Sequence, residues 1–136
     1  MSERTGGCHC GAVRFKAAGE PLAVNHCHCL DCQRVSGAPF VTWATFRTSD
    51  VTFTAGGPRR YASSVKAERA FCANCGTPFM WQGKAKPENM DLTVASFDNP
   101  GDFHPRDHIW TERQLPWIKL ADGLPRYRHF RDEAPL

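Results

Sequence analysis

The sequence predicts a mainly β domain with little helix, and three observations carry that expectation. Short runs of alternating or β-branched and aromatic residues recur along the whole chain. Ten prolines and eleven glycines break those runs so often that long helices have no room. The 136 residues are 41% hydrophobic and 23% charged, which suits one globular domain with a modest core and excludes a disordered chain. Half-buried antiparallel strands folded into sheets that pack on one another are therefore expected, over residues 1–136 as a single unit.

Taken in order, Val13, Phe15 and Ala17 alternate with Arg14 and Lys16, the period of a half-buried strand. Gly19-Glu20-Pro21 turns the chain, and Leu22 to Cys27 reads as a second strand. Leu30 to Val35 suits one or two helical turns, opened with help from Asp31 and stopped by Gly37 and Pro39. That places Cys32 near a helix N-terminus, where the dipole favours thiolate, although so short a segment is not helical unaided. Phe40 to Phe46, Val51 to Ala55, Arg60 to Ser64, Lys66 to Phe71, Phe79 to Trp81 and Met90 to Phe97 read as further strands, about eight in all. Gly56-Gly57-Pro58 and Asn99-Pro100-Gly101 are turns. Beyond Phe103 the pattern becomes irregular, and His108-Ile109-Trp110 with Trp117-Ile118 are expected to pack this tail on the body.

The formal charge of +3 is mild and its carriers are scattered. Arg59-Arg60 and Arg126, Arg128 and Arg131 read as solvated surface, so a nucleic-acid partner is disfavoured. The N-terminus has no apolar run, and no stretch suits a signal peptide or a membrane span. The expected location is the cytoplasm, where thiols stay reduced and clustered cysteines read as metal ligands before disulfides.

All seven cysteines fall into three short clusters. Cys8 and Cys10 form one pair, Cys72 and Cys75 a second, and Cys27, Cys29 and Cys32 a triplet. Two pairs, each on a small loop, close a tetrahedron of four thiolates, the ligand set of a structural zinc. Sixty-one residues separate Cys10 from Cys72, so such an ion staples the N-terminal strand to the middle of the fold. Gly76 supplies the positive φ that closes a Cys-x-x-Cys knuckle. The triplet presents three sulfurs from one tight loop, and no cysteine remains for a fourth position. Water, a substrate thiol or a histidine such as His26 can take it. His28 lies between two ligands, so its ring is expected to point away. An exchangeable position on a three-thiolate zinc suits a soft incoming thiolate. A closed second site would instead make the protein a non-catalytic, zinc-stabilised module that binds protein or nucleic acid.

Gly6-Gly-Cys-His-Cys-Gly-Ala-Val-Arg-Phe15, His26-Cys-His-Cys-Leu-Asp-Cys32 followed by Ser36-Gly37, Phe71-Cys-Ala-Asn-Cys-Gly-Thr-Pro78, and His108-Ile109 with Pro116-Trp117 resemble the glutathione-dependent formaldehyde-activating enzyme family, which includes the centromere protein V group. The resemblance spans nearly the whole chain. It implies an Mss4-like fold of folded antiparallel sheets with zinc-stapled loops. It implies two zinc ions per chain: a structural one on Cys8, Cys10, Cys72 and Cys75, and a catalytic, more labile one on Cys27, Cys29 and Cys32. It also implies a carbon–sulfur lyase that adds glutathione to formaldehyde to give S-hydroxymethylglutathione. No residue matches a glutathione-binding role, and the oligomeric state is left open.

Overall fold

The computed structural model describes residues 2–131 and Pro135. The chain divides into two compact units, each assembled from two stretches: Met1–Leu22 with Ala44–Phe103, and Ala23–Trp43 with His104–Leu136. The first is built mainly of strands, as the sequence predicts; the second combines short strands with one helix and an irregular tail.

In the first unit, β1 (Glu3–Gly7), β2 (Arg14–Ala18) and β5 (Val51–Ala55) form an antiparallel sheet in the order β1-β2-β5. The alternation read from the sequence is obeyed: Val13, Phe15 and Ala17 are buried, while Arg14 and Lys16 are half-buried. A second sheet takes the end of β4 (Val41–Arg47), then β9 (Asn89–Thr93), β8 (Pro78–Gly83), β7 (Ala67–Phe71) and β6 (Arg59–Ala62), in that order. The core is aromatic. Phe15 packs edge-on against Phe97 at 5.1 Å between ring centroids and lies 6.0 Å from Phe79, and Phe97 lies 4.7 Å from Phe103. Each such ring contributes about 1.5–3 kcal/mol by leaving water. Gly6 is needed where β1 crosses this core: a Cβ there would sit 2.6 Å from the Ser96 carbonyl oxygen and 2.7 Å from the Phe15 ring.

Two features of this unit depart from the sequence reading. β1 carries no apolar period and was not expected; it is held by pairing with β2 and by the Gly6–Phe97 bridge. The strand expected over 90–97 stops at Thr93, and Val94–Ser96 forms a 3₁₀ turn in which the Ser96 hydroxyl donates to the Thr93 carbonyl.

In the second unit, β3 (Ala23–Cys27) lies between β10 (Asp107–Ile109) and the start of β4. β3 and β10 pair in parallel, with His108 opposite His26 and Ile109 opposite Cys27. The sheet that contains β3 is thus mixed, whereas β1-β2-β5 is antiparallel throughout. β10 reaches its partner after an excursion of some eighty residues, so no hairpin constrains its direction. Helix α1 (Leu30–Ser36) fills the expected segment and ends at Gly37 with φ 66°. Asp31 lies in its first turn, and the N-cap itself is Cys29, whose sulfur accepts from the Cys32 N–H.

The tail is fastened through its backbone. His108 donates to the Pro125 carbonyl at 2.9 Å, and Tyr127 and Trp110 donate to the His108 and His129 carbonyls at 2.8 Å each. Trp110 takes φ 57°, a costly conformation for a bulky residue, and its ring packs 4.7 Å from His129 and 5.3 Å from Phe130. Ile109 is buried as expected, but Trp117 is 64% exposed and does not anchor the tail. Three of the arginines read as solvated surface also have polar partners: Arg60 pairs with Glu68 and donates to Gln82, Arg126 donates to Gln114, and the exposed Arg131 pairs with the buried Asp107.

Candidate metal centres

The first unit brings Cys8, Cys10, Cys72 and Cys75 together, with all four sulfurs within 4.8 Å of one another. Cys8 and Cys10 hang on the loop between β1 and β2, and Cys72 and Cys75 on the knuckle between β7 and β8. The sulfurs of Cys8 and Cys10 are 3.6 Å apart, and those of Cys10 and Cys72 are 3.8 Å apart. Four thiolates at about 2.3 Å from a central ion stand about 3.8 Å from one another, so this spacing fits a tetrahedral metal. The knuckle closes as expected, with Gly76 at φ 82° and its N–H donating to the Cys72 carbonyl.

Each sulfur of this group has a donor beside it. The Val13 N–H points to Cys8 at 3.2 Å, the Asn74 side-chain amide to Cys10 at 3.2 Å, and the Cys75 N–H to Cys72 at 3.4 Å. The Thr77 hydroxyl lies 3.2 Å from the Cys75 sulfur. That hydroxyl, and then backbone N–H groups, hold the Cys75 thiol down to about 5. For Cys8, burial pushes the thiol up, but the bonds from Val13, Cys72 and Cys10 outweigh it and leave it lowered. Cys72, by contrast, is raised: backbone N–H groups pull its thiol down, but burial and the bonds to Cys8 and Cys75 outweigh them. The surroundings thus favour thiolate, the form that binds a cation, at Cys75 and Cys8.

The second unit gathers Cys27, Cys29 and Cys32, again with sulfurs within 4.8 Å of one another. Cys27 ends β3, Cys29 caps α1, and Cys32 lies in the first turn of α1. Cys27 and Cys32 are buried, and Cys29 is half-buried. Trp43 on β4 donates its indole N–H to the Cys32 sulfur at 3.4 Å. Gln33 on α1 bonds the carbonyls of His28 and Arg113, both at 2.8 Å, and pins the loop that carries the triplet.

Two of these thiols, Cys27 and Cys32, resist ionisation. Bonds to Cys29 and Cys32, with burial, push Cys27 far up. At Cys32 the Cys27 bond pulls down, but the Cys29 bond and burial outweigh it and raise the thiol to about 11. The dipole argument made for Cys32 is thus overridden by its sulfur neighbours. Three clustered sulfurs, two of them buried and hard to ionise alone, form a donor set that a divalent cation completes.

Among the described residues, no fourth donor joins the triplet. Both nearby histidines turn elsewhere. His26 bonds the Thr42 hydroxyl through Nδ1 at 2.8 Å, and His28, fully buried, bonds His108 Nδ1 through Nε2 at 3.0 Å. His108 Nε2 in turn meets Asp122 Oδ2 at 2.8 Å. Burial, then the charges of His108, Arg126 and His26, lower His28 to about 4, and its Nδ1 has no partner. Cysteine spacing signalled the two sulfur groups. Nothing local signalled Trp43, Gln33 or Asp122, because each reaches its site only through the fold.

Residues 3–113 match the model of the glutathione-dependent formaldehyde-activating enzyme family. An uncharacterized lyase of Schizosaccharomyces pombe is 38% identical over 77 residues, which are 57% of this chain and 56% of that protein. The chain thus spans little more than half of that relative's length. A putative glutathione-dependent formaldehyde-activating enzyme of Halomonas elongata is 25% identical over 124 residues, covering 85% of this chain and 79% of that one. The crystal structure of a Rhodobacter sphaeroides protein superposes with a TM-score of 0.57 at 27% identity, covering 90% of this chain and 98% of that one.

Proposed function

This chain belongs to the glutathione-dependent formaldehyde-activating enzyme family, and we infer that it is a zinc-dependent carbon–sulfur lyase that joins a small thiol, glutathione, to a small aldehyde, formaldehyde. The observation that carries the reading is the contrast between the two cysteine groups: one supplies four sulfurs and the other three. A metal with four thiolates is closed, whereas one with three keeps a position for substrate.

Cys8, Cys10, Cys72 and Cys75 would hold the structural ion. Cys27, Cys29 and Cys32 would hold the second, and the Trp43 indole N–H and the Cys32 N–H are directed at sulfurs of this group. Zinc bound there would stabilise an incoming thiol as thiolate and polarise a carbonyl. In the reaction a bond forms between the thiol sulfur and the aldehyde carbon. The carbonyl π bond breaks, and the thiol proton ends on the oxygen as a hydroxyl, with no net redox change. His28 turns its ring towards His108, which leaves the triplet a purely sulfur donor set suited to a soft substrate. A reducing compartment such as the cytoplasm would keep all seven thiols available for metal.

Cobalt substitution tests this. The sulfur-to-cobalt charge-transfer band reports the number of thiolates at each site. Glutathione should change the band of the triplet site, absent in Cys29→Ser, and leave that of the four-cysteine site unchanged. If a panel of small thiols leaves the band of the cobalt-loaded triplet unaltered, the lyase reading fails and a non-catalytic binding module takes its place.

A further inference from the structure

We propose that His26, His108 and Asp122 form a third metal site, a two-nitrogen, one-carboxylate set for a borderline divalent cation such as zinc, cobalt or nickel. Its donor atoms all lie within 4.8 Å of one another, and it shares no ligand with either sulfur group.

Three separate elements of the second unit build it. The parallel register of β3 and β10 sets His26 beside His108, so that their rings stack at 4.8 Å between centroids. The tail supplies Asp122, whose Oδ1 accepts from the Leu124 N–H at 3.1 Å and whose Oδ2 stands 2.8 Å from His108 Nε2.

The far nitrogen of each ring is already held. His26 Nδ1 is bonded to the Thr42 hydroxyl, and His108 Nδ1 to His28 Nε2. Metal-binding imidazoles are oriented in this way, with one nitrogen fixed by the protein and the other turned to the ion. This leaves His108 Nε2, which meets Asp122 Oδ2, and His26 Nε2 as the ring nitrogens outside those two bonds. Ligands about 2.1 Å from a tetrahedral ion stand about 3.3 Å apart, so no pair here needs to close by more than about 1.5 Å. Asp122, with its side chain 38% exposed on the tail, gives the path of entry. His108 is 1% exposed and forms the fixed floor. Nitrogen and oxygen donors select borderline cations, whereas sulfur favours softer ones, so this site is chemically distinguishable from the two sulfur groups.

The test uses the full-length zinc protein exchanged with cadmium-113 in excess. The expected spectrum holds the downfield resonances of sulfur-bound cadmium and one further resonance in the upfield nitrogen–oxygen region. That upfield signal should show one-bond coupling to nitrogen-15 in both His26 and His108. Asp122→Asn and His26→Gln should each remove it and leave the sulfur resonances in place. A wild-type spectrum with sulfur resonances alone overturns the proposal. So does an upfield signal without coupling to these two rings, or one that survives either substitution.

Discussion

Trp43 donates its indole N–H to the Cys32 sulfur from a position only 6% exposed. A donor aimed at a metal-binding sulfur steadies its negative charge and its direction, and removing such a partner typically costs 10- to 100-fold in metal affinity, about 1.4–2.8 kcal/mol. Trp43→Phe keeps most of the buried ring surface and deletes the donor. The variant should fold, bind metal at the triplet about 10-fold or more weakly, and leave the four-cysteine site unchanged. Competition against a chromophoric chelator reads both affinities, and equal affinities in variant and wild type at the triplet would remove Trp43 from the site. At this scale the sulfurs themselves were legible, because Cys-x-Cys and Cys-x-x-Cys spacing states its chemistry locally. The partners were not. Trp43 reads as an ordinary strand residue, and Asp122 as one acid among fourteen acidic residues.

Among the elements, the β1–β2 hairpin depends on a charge that its own residues do not carry. Asp98, just beyond the 3₁₀ turn Val94–Ser96, accepts from Arg14 on β2 at 2.9 Å and from the Thr5 hydroxyl on β1 at 2.6 Å. Its backbone N–H also bonds the Thr5 carbonyl at 2.8 Å. The Arg14 bond, and then that of Thr5, hold the Asp98 carboxyl down to about 2, below its ordinary 3.8. A depressed carboxylate stabilises the fold fully above the ordinary value, and that contribution is lost as pH falls through the folded one. Asp98→Asn should therefore melt below wild type at neutral pH, and the gap should close between pH 3.8 and about 2. Both partners are partly solvated, so the gap should be small and shrink further in high salt. A difference in melting temperature that persists at pH 2, followed by circular dichroism, would show that the loss is steric. β2 was legible because Val13, Phe15 and Ala17 alternate with charged residues. β1, with Thr5-Gly6-Gly7 and no apolar period, was not, because its place is set by Asp98, Phe97 and β2, all outside it. The parallel pairing of β10 was hidden for the same reason: three residues, Asp107-His108-Ile109, cannot announce a partner some eighty positions away.

For the whole molecule, the two sulfur centres fall in different units and close very different lengths of chain. An ion on Cys8, Cys10, Cys72 and Cys75 joins two loops with 61 residues between Cys10 and Cys72, whereas the triplet encloses four residues between Cys27 and Cys32. Loop-closure entropy grows with the logarithm of length, which favours the long closure as a stabiliser by about 2 kcal/mol before any difference in bonding. On the proposed reading, a zinc ion at the four-cysteine site would act largely as folding free energy for the first unit, on the order of 10 kcal/mol. The triplet's loop is also held by means other than metal, through Gln33 and through the His28 N–H bonded to the Ile109 carbonyl at 3.1 Å. Cys29→Ser should consequently stay folded while losing the triplet's metal. Cys72→Ser, which deletes a sulfur only 1% exposed, should lose most of its folded protein. A chelator added stepwise to wild type should give the same order: the first zinc leaves with the melting curve nearly unchanged, and the last leaves together with the β signal in circular dichroism. A Cys72→Ser protein that melts with the wild type, or a first zinc whose release collapses the fold, would mean that the two centres divide stability otherwise than their closures require.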